Sequence, residues 1–210
     1  MVSTGNDVLA TSDRDRILQA MADCCAEFGY LETTVETVLE RAGVEAESFE
    51  SLFAGKEDCA LAALNKIVSE TLAQISMAQV NGEDAIGRRK FEGKAILELM
   101  AARPSFVRLG LVSARQCGTP HMHDAYESAA RVLALMMERL AGSTERPGAT
   151  ARAAFGGAEA VIRRELAAGR GSRLPQLLPD FVYAVLVPFV GQGEALRQAK
   201  LAARVTAEEE

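Results

Sequence analysis

The residue types best suited to chemistry are His121 and His123, the only two histidines of the chain, which stand beside Asp124. Imidazole nitrogens and carboxylate oxygens can ligate a metal ion or transfer a proton. Residues two apart on a helix point to different sides, however, and no third ligand follows at a recognisable spacing. The preceding Thr119-Pro120 favours a helix start, because proline suits the first helical turn. The pattern therefore predicts the first turn of a helix and no metal site.

Motifs for catalysis and cofactor binding are also missing from the sequence. It contains no GxSxG, Walker-type or HExxH segment. The four cysteines, Cys24, Cys25, Cys59 and Cys117, lack the paired spacing of a zinc site or a CxxC motif. The N-terminus shows no signal-peptide pattern, and the longest apolar run, 181–191, is far shorter than the ~20 residues that cross a bilayer. We expect a cytoplasmic protein with reduced thiols, no membrane span, no cofactor and no enzymatic activity.

Length and charge limit the function further. The 210 residues are 49% hydrophobic, enough to bury the core of one folded unit or two small ones. With 23 basic and 29 acidic side chains, the formal net charge is −6. This balance argues against a protein that coats nucleic acid or anionic lipid by bulk charge alone. Any contact with nucleic acid must therefore be local.

Apolar residues recur at helical spacing along almost the whole chain, and no convincing run alternates as a strand would. We predict an all-α fold of about nine helices. The first begins near Ser12 and ends at Gly29, burying one apolar stripe: Ile17, Leu18, Met21, Cys25 and Phe28.

Three further helices follow at the N-terminal end. Thr33 and Thr34 offer a cap for a short second helix that stops at Gly43. A third runs over 45–53, and a fourth begins at Lys56 and reaches about residue 79. The remaining helices are expected over 83–102, 104–118, 120–142, 148–169 and 174–205, with breaks at proline and glycine.

The second and third helices, joined by a turn at Gly43, form a helix-turn-helix pattern, in which the later helix normally enters the major groove of DNA. Over residues 14–64 the chain resembles the TetR family of bacterial transcriptional regulators. The resemblance is carried by Arg16-Ile17-Leu18, Phe28-Gly29-Tyr30, Thr33-Thr34-Val35, Arg41-Ala42-Gly43-Val44, Ser48-Phe49, Phe53 and Lys56-Glu57. The rest of the chain resembles the family in length, helical content and a short proline-containing pattern over 178–191.

This resemblance implies a homodimeric, ligand-responsive regulator that binds a double-stranded operator, and we take it to be a repressor. It divides the chain into a disordered arm (1–11), a DNA-binding head (12–56), a ligand-binding and dimerisation body (57–205) and an acidic tail (206–210). The residues expected to contact DNA are Arg14, Arg16, Thr33, Thr34, Glu45, Ser48, Ser51 and Lys56. Among these, Arg14, Thr33, Thr34 and Lys56 would hold the phosphate backbone, while Glu45 or Glu47 could accept a hydrogen bond from cytosine N4.

In charge, the head differs from typical members of the family that it resembles. Residues 12–56 contain ten acidic and four basic side chains, and the recognition segment carries Glu45, Glu47 and Glu50 with no lysine or arginine. Typical members have a tyrosine at the position of Glu50 and often a histidine at that of Leu52, both of which contact phosphates. Because affinity for DNA comes mainly from basic groups that displace counterions, this head offers few of the usual contacts.

The body offers adaptable apolar side chains for an unidentified small-molecule effector, although a filled core has the same composition. The candidates are Met100, Phe106, Leu109, Met122, Tyr126, Leu133 and Phe155.

The Gly156-Gly157 pair lies inside a helical pattern, where each glycine costs up to ~1 kcal/mol relative to alanine, so close approach of a partner helix would explain it. Because the resemblance places the dimer seam on this helix and the last one, the candidate interface is Gly157, Val161, Leu177, Phe181, Val185 and Phe189; the alternative is that these residues close the core of one chain.

Three functions remain open at this stage. The first is the DNA-binding regulator. The second is a TetR-like protein whose acidic recognition helix no longer binds DNA in the conventional way and which serves as a small-molecule or protein-binding module. The third is an enzyme, which the missing catalytic constellation disfavours.

Overall fold

The computed structural model describes the backbone of residues 5–78, 85–116, 119–141 and 147–207, and the side chains of 13–77, 93–115, 119–135 and 148–204. Within these ranges the only regular secondary structure is helical, as the all-α prediction requires, and nine α-helices can be distinguished. The first four are α1 (Gly5–Phe28), α2 (Val35–Ala42), α3 (Ala46–Leu52) and α4 (Lys56–Ala78).

The other helices are α5 (Ala85–Ala102), α6, α7 (Pro120–Ala141), α8 (Pro147–Ala167) and α9 (Leu178–Ala207). Helix α6 consists of Pro104–Arg108, a π-helical turn Leu109–Ser113 and a last turn Ala114–Gln116. A 3₁₀ helix, Gly171–Leu177, precedes α9. Helices α6 and α7 begin at Pro104 and Pro120, as predicted, because the first helical turn does not need the amide hydrogen that proline lacks.

The chain divides into two compact units. Unit 1 comprises Met1–Val68 and Ser105–Tyr126, and in it α1 packs against α2, α3 and the π-helical turn of α6. Unit 1 thus contains the expected head together with residues that the sequence analysis assigned to the body. Its core includes Ile17, Leu18 and Met21 of α1, and Phe49 and Phe53, whose ring centroids are 5.4 Å apart.

Unit 2 comprises Ser69–Pro104 and Glu127–Glu210. Within it α9 packs against α8, α5 and the 3₁₀ helix. Two close approaches show how tightly these helices pack: a Cβ atom on Gly93 would lie 3.1 Å from Cδ1 of Phe181, and one on Gly157 would lie 3.4 Å from Cβ of Ala184. The first distance is tighter than most real Cβ contacts, so a side chain at Gly93 would push the ring of Phe181 aside by a few tenths of an ångström.

Three predicted details are wrong. Helix α1 begins at Gly5 and not near Ser12, so it includes residues expected to lie in a disordered arm. Phe28, expected in the core, is 46% exposed and its ring lies beneath the guanidinium of Arg41. The last helix is not continuous from 174 to 205, because it starts after the 3₁₀ helix and is interrupted at Gly191. The φ of Gly191 is 77°, a value that glycine adopts without strain.

One stretch of the described chain, Gly171–Arg204, is long and apolar enough to cross a membrane by length and composition. The break at Gly191 limits its first α-helical part to 178–190, which is shorter than the ~20 residues that a bilayer requires. In this structure α9 packs against α8 and α5, as a core helix does.

Candidate nucleic-acid interface

The start of α2 is fixed by Thr34. Its hydroxyl accepts a hydrogen bond from the amide of Thr37, and the Thr37 hydroxyl accepts one from the amide of Thr34. This reciprocal pair is a capping box, and such caps contribute ~1 kcal/mol to helix stability. Glu36 in the same turn has a lowered pKa, because its carboxylate accepts hydrogen bonds from its own backbone and from Thr34.

Thr33 has a different role from the one predicted. It is fully buried, and its hydroxyl donates to the carbonyl of Gly29 at 2.8 Å. Its buried hydroxyl is therefore not placed to bind a phosphate, and the structure gives no support to the predicted contact between the Thr33 side chain and DNA.

Helix α3 is presented by a tight turn after α2. Gly43 ends α2 in the left-handed conformation with a φ of 62°, and its amide donates to the carbonyl of Leu39. Phe49 and Phe53 hold the inner side of α3 in the core, which leaves Ala46, Glu47, Glu50 and Ser51 exposed.

The ends of α3 place two more of the predicted contact residues. Glu45 occupies the N-cap position, with its side chain exposed and without a capping hydrogen bond. Ser48 is half-buried, and the Ser51 hydroxyl donates to its carbonyl. The arrangement is that of a helix-turn-helix with its second helix accessible.

The two arginines of α1 that were expected to contact phosphates take part in contacts within the chain. Arg16 donates to the carbonyls of Ala42 and Gly43 at the end of α2 and pairs with Asp13. Arg14 is exposed, and its guanidinium lies 5.7 Å from the ring centroid of Phe53.

The other two basic groups of the head are also engaged. Arg41 pairs with Glu27, and this hydrogen bond raises the pKa of Arg41. The ammonium of Lys56 donates to the carbonyls of Tyr30, Leu31 and Thr33. Three of the four basic side chains of residues 12–56 are therefore hydrogen-bonded within unit 1, and Arg14, the fourth, lies against an aromatic ring there.

The acidic side chains are in the opposite situation. Within the described chain, Glu45, Glu47 and Glu50 have no ion-pair partner. Residues 12–56 carry a net charge of −6, so the remainder of the chain, with nineteen acidic and nineteen basic groups, is neutral. The accessible side of α3 is therefore acidic, and the basic groups near it are occupied in holding helices together.

The candidate effector residues are divided between the two units. Phe106, Leu109, Met122 and Tyr126 are buried in unit 1, and the guanidinium of Arg115 lies 5.4 Å from the ring centroid of Tyr126. Met100, Leu133 and Phe155 are half-buried in unit 2. Their role in ligand binding stays a prediction. No group of three or more potential metal ligands occurs among the residues described.

The candidate dimer residues differ in their accessibility. Phe181 and Val185 are buried within one chain, Phe181 against Gly93, which favours the alternative that these two close the core of one chain. Gly157 approaches Ala184 of the same chain. Val161, Leu177 and Phe189 remain half-exposed. The neighbouring Gly156, which was not among the candidates, is exposed with open space beside it.

A buried ionic contact in unit 2 was also missed. Glu165 is 6% exposed and accepts hydrogen bonds from Arg170 at 2.7 and 3.0 Å, and from Arg164. The bonds to Arg170, and then that to Arg164, lower the pKa of Glu165 to about 2 despite its burial. The i, i+5 spacing gave no helical signal, because the contact depends on the turn at Gly169.

Comparison with solved structures gives one consistent result. The chain superposes on the fatty acid degradation regulator FadR from Bacillus halodurans with a TM-score of 0.74 at 15% identity, covering 85% of this chain and 95% of that one. It superposes on the regulatory protein TetR from Rhodobacter sphaeroides with a TM-score of 0.67 at 22% identity, covering 84% and 98%. This is the fold of the TetR-family regulators.

A third TetR-like match, a gamma-butyrolactone receptor described as ArpA-like, has a TM-score of 0.64 at 22% identity and covers 95% of this chain and 99% of the receptor. The chain matches no family profile and no curated protein sequence. The TetR fold prediction is thus confirmed by structure, while these identities leave function to be argued from the residues.

Proposed function

We propose that this TetR-fold protein is a cytoplasmic, homodimeric, ligand-responsive regulator that binds operator DNA and represses transcription. The observation that carries the proposal is the α2–turn–α3 motif, in which Phe49 and Phe53 fix α3 while Glu47, Glu50 and Ser51 stay accessible. In this arrangement α3 enters the major groove. The carboxylate of Glu45, at the N-cap of α3, accepts a hydrogen bond from cytosine N4, and Arg14 and the capped start of α2 lie against the backbone.

The decisive experiment is selection of bound fragments from host genomic DNA, followed by titration at several salt concentrations. A regulator gives specific binding that weakens with salt, with a shallow slope because few basic groups are available. Absence of binding to every fragment at low salt would contradict the proposal.

A small-molecule effector is the second part of this function. Its support is the likeness to a gamma-butyrolactone receptor over almost the whole of both chains, together with the apolar candidates Phe106, Leu109 and Met122. A γ-butyrolactone with a short alkyl chain is a defined test compound. It should raise the melting temperature of the full chain and release a selected DNA fragment, whereas Met122→Gln should abolish both effects in a folded protein.

The homodimer uses α8 and α9 in this proposal. An exposed face of small residues on α8 supports it, because such residues let helices approach closely: Ala149, Ala153, Gly156 and Ala160. We expect sedimentation of a dimer, loss of the dimer in Gly156→Leu, and no change in Ser128→Leu on α7. A monomeric wild-type protein would contradict this part of the proposal.

A second candidate function is a protein-binding or small-molecule-binding module that does not bind DNA. It is favoured by one observation: Arg16, Arg41 and Lys56 are engaged internally, whereas the three glutamates at 45, 47 and 50 have no ion-pair partner among the residues that the structure describes. The triple variant in which these three residues become glutamine separates the candidates. Binding gained by the variant, with none in the wild type, would identify the acidic helix as the cause of a lost DNA function.

A further inference from the structure

The ammonium group of Lys56 is bound on several sides by other residues of the chain. Its Nζ atom donates to the carbonyl oxygens of Tyr30 at 3.0 Å, Leu31 at 3.4 Å and Thr33 at 2.9 Å. The same atom lies 4.5 Å from the ring centroid of Tyr30, a residue that is 6% exposed. An ammonium has three hydrogen-bond donors, so all three are used, and the aromatic ring adds a cation–π contact.

The three carbonyls belong to the loop 29–33 between α1 and α2. Gly29 opens this loop with a φ of 84°, and its carbonyl accepts hydrogen bonds from both the amide and the hydroxyl of Thr33. Thr34, the cap of α2, follows immediately. The loop therefore determines where α2 begins, and Lys56 joins the loop to the first turn of α4.

We propose that Lys56 is a positioning residue for the helix-turn-helix and not a phosphate contact. It fixes the start of α2, and through the turn at Gly43 it fixes the presentation of α3. To contact a phosphate, its ammonium would have to give up three hydrogen bonds and an aromatic contact. This inference rests on the proposed DNA binding for its functional meaning, while the contact itself can be tested without DNA.

Hydrogen exchange of the full chain tests the contact directly. In Lys56→Met we expect the amide of Thr33, which is bonded to Gly29, to exchange about tenfold faster, because loss of a charged donor weakens the whole loop. Lys66→Met removes the same charge from the same helix and serves as the matched control. It should leave this amide unchanged. Unchanged exchange in a folded Lys56→Met protein would overturn the proposal.

Salt dependence of DNA binding distinguishes positioning from phosphate contact. On a duplex selected from a randomised pool, Lys56→Met should lower affinity at every salt concentration while the slope of log K against log salt stays close to that of the wild type. Loss of a phosphate contact would instead reduce the slope by about 0.9. A slope reduced by that amount would overturn the proposal.

The conservative variant provides a second discrimination. In Lys56→Arg the planar guanidinium keeps the charge but does not match the three carbonyls that converge on the lysine ammonium. Neither slow exchange of the Thr33 amide nor affinity for DNA should therefore be restored. Full rescue of affinity by arginine would indicate a phosphate contact and overturn the proposal. If the wild type binds no duplex, the proposed DNA function fails, and the exchange experiment alone decides the role of Lys56 in the loop.

Discussion

Neutralising the acidic side of α3 should strengthen DNA binding. Glu47 and Glu50 are exposed and have no ion-pair partner within the described chain. At ~8 Å and the dielectric of water, one carboxylate facing one phosphate costs about 0.5 kcal/mol. Two carboxylates that each face about two phosphates cost about 2 kcal/mol, which screening at 0.1 M salt, where the Debye length is ~10 Å, reduces to about 1 kcal/mol.

The double variant Glu47→Gln/Glu50→Gln should therefore bind roughly fivefold more tightly at 0.1 M salt, and its advantage should grow as salt is lowered. Fluorescence anisotropy with a labelled duplex from the genomic selection measures this change. Glu127→Gln on α7 removes an exposed carboxylate elsewhere in the chain and is the control. Equal or weaker binding by the double variant would refute the reasoning, because it would mean that these carboxylates face bases and not phosphates.

Three further predictions concern stability and reactivity. Glu165→Gln should unfold more easily than the wild type at neutral pH. Because Arg170 lowers the pKa of Glu165 to about 2 from 4.5, the greater stability of the wild type is complete above pH 4.5 and disappears as the pH falls towards 2. Urea titrations across that pH range would show this change. Cys59 is fully buried, and burial raises the pKa of its thiol to about 12. Iodoacetamide should therefore modify this thiol far more slowly in the native protein than in urea, as peptide mass spectrometry can measure. Fast modification of the native protein would contradict the burial of Cys59. Alanine should be less favourable at Gly93 than at Gly156. At both positions it gains up to ~1 kcal/mol in helix propensity, but at Gly93 its Cβ would crowd Phe181, and overpacking costs about 1–3 kcal/mol. Chemical denaturation of Gly93→Ala and Gly156→Ala checks this order, and equal effects would argue against the helix packing described.

Much of the head could be predicted from the sequence because its signals are local. The Thr34 cap, the glycine after α2, and Phe49 and Phe53 four residues apart each specify a helix end or a helix face without reference to the rest of the chain. Phe28 was mispredicted for a related reason. It continues the apolar stripe of α1, but that stripe passes beyond the region that other helices cover, and the ring packs under Arg41 at the surface instead.

The candidate site was less predictable, because residue type does not reveal which partner a charged group finds. Lys56 and Arg16 are residue types that commonly contact phosphates, yet their hydrogen-bond donors bind carbonyls twenty-three to twenty-seven residues away in sequence. Thr33 and Thr34 are chemically alike, and only the fold buries one and exposes the other.

By itself, the sequence determined that the chain is helical, where most of its helices end, and that its N-terminal portion carries the whole net negative charge. These properties follow from periodicity, caps and composition, which act over a few residues. Tertiary structure alone decided that the basic groups of the head bind backbone carbonyls, an aromatic ring and neighbouring carboxylates, while Glu47 and Glu50 of α3 have no ion-pair partner in the part of the chain described. The physical reason is that an ion pair or a buried hydrogen bond depends on the separation of atoms in space, and folding brings together residues whose distance along the chain carries no such information.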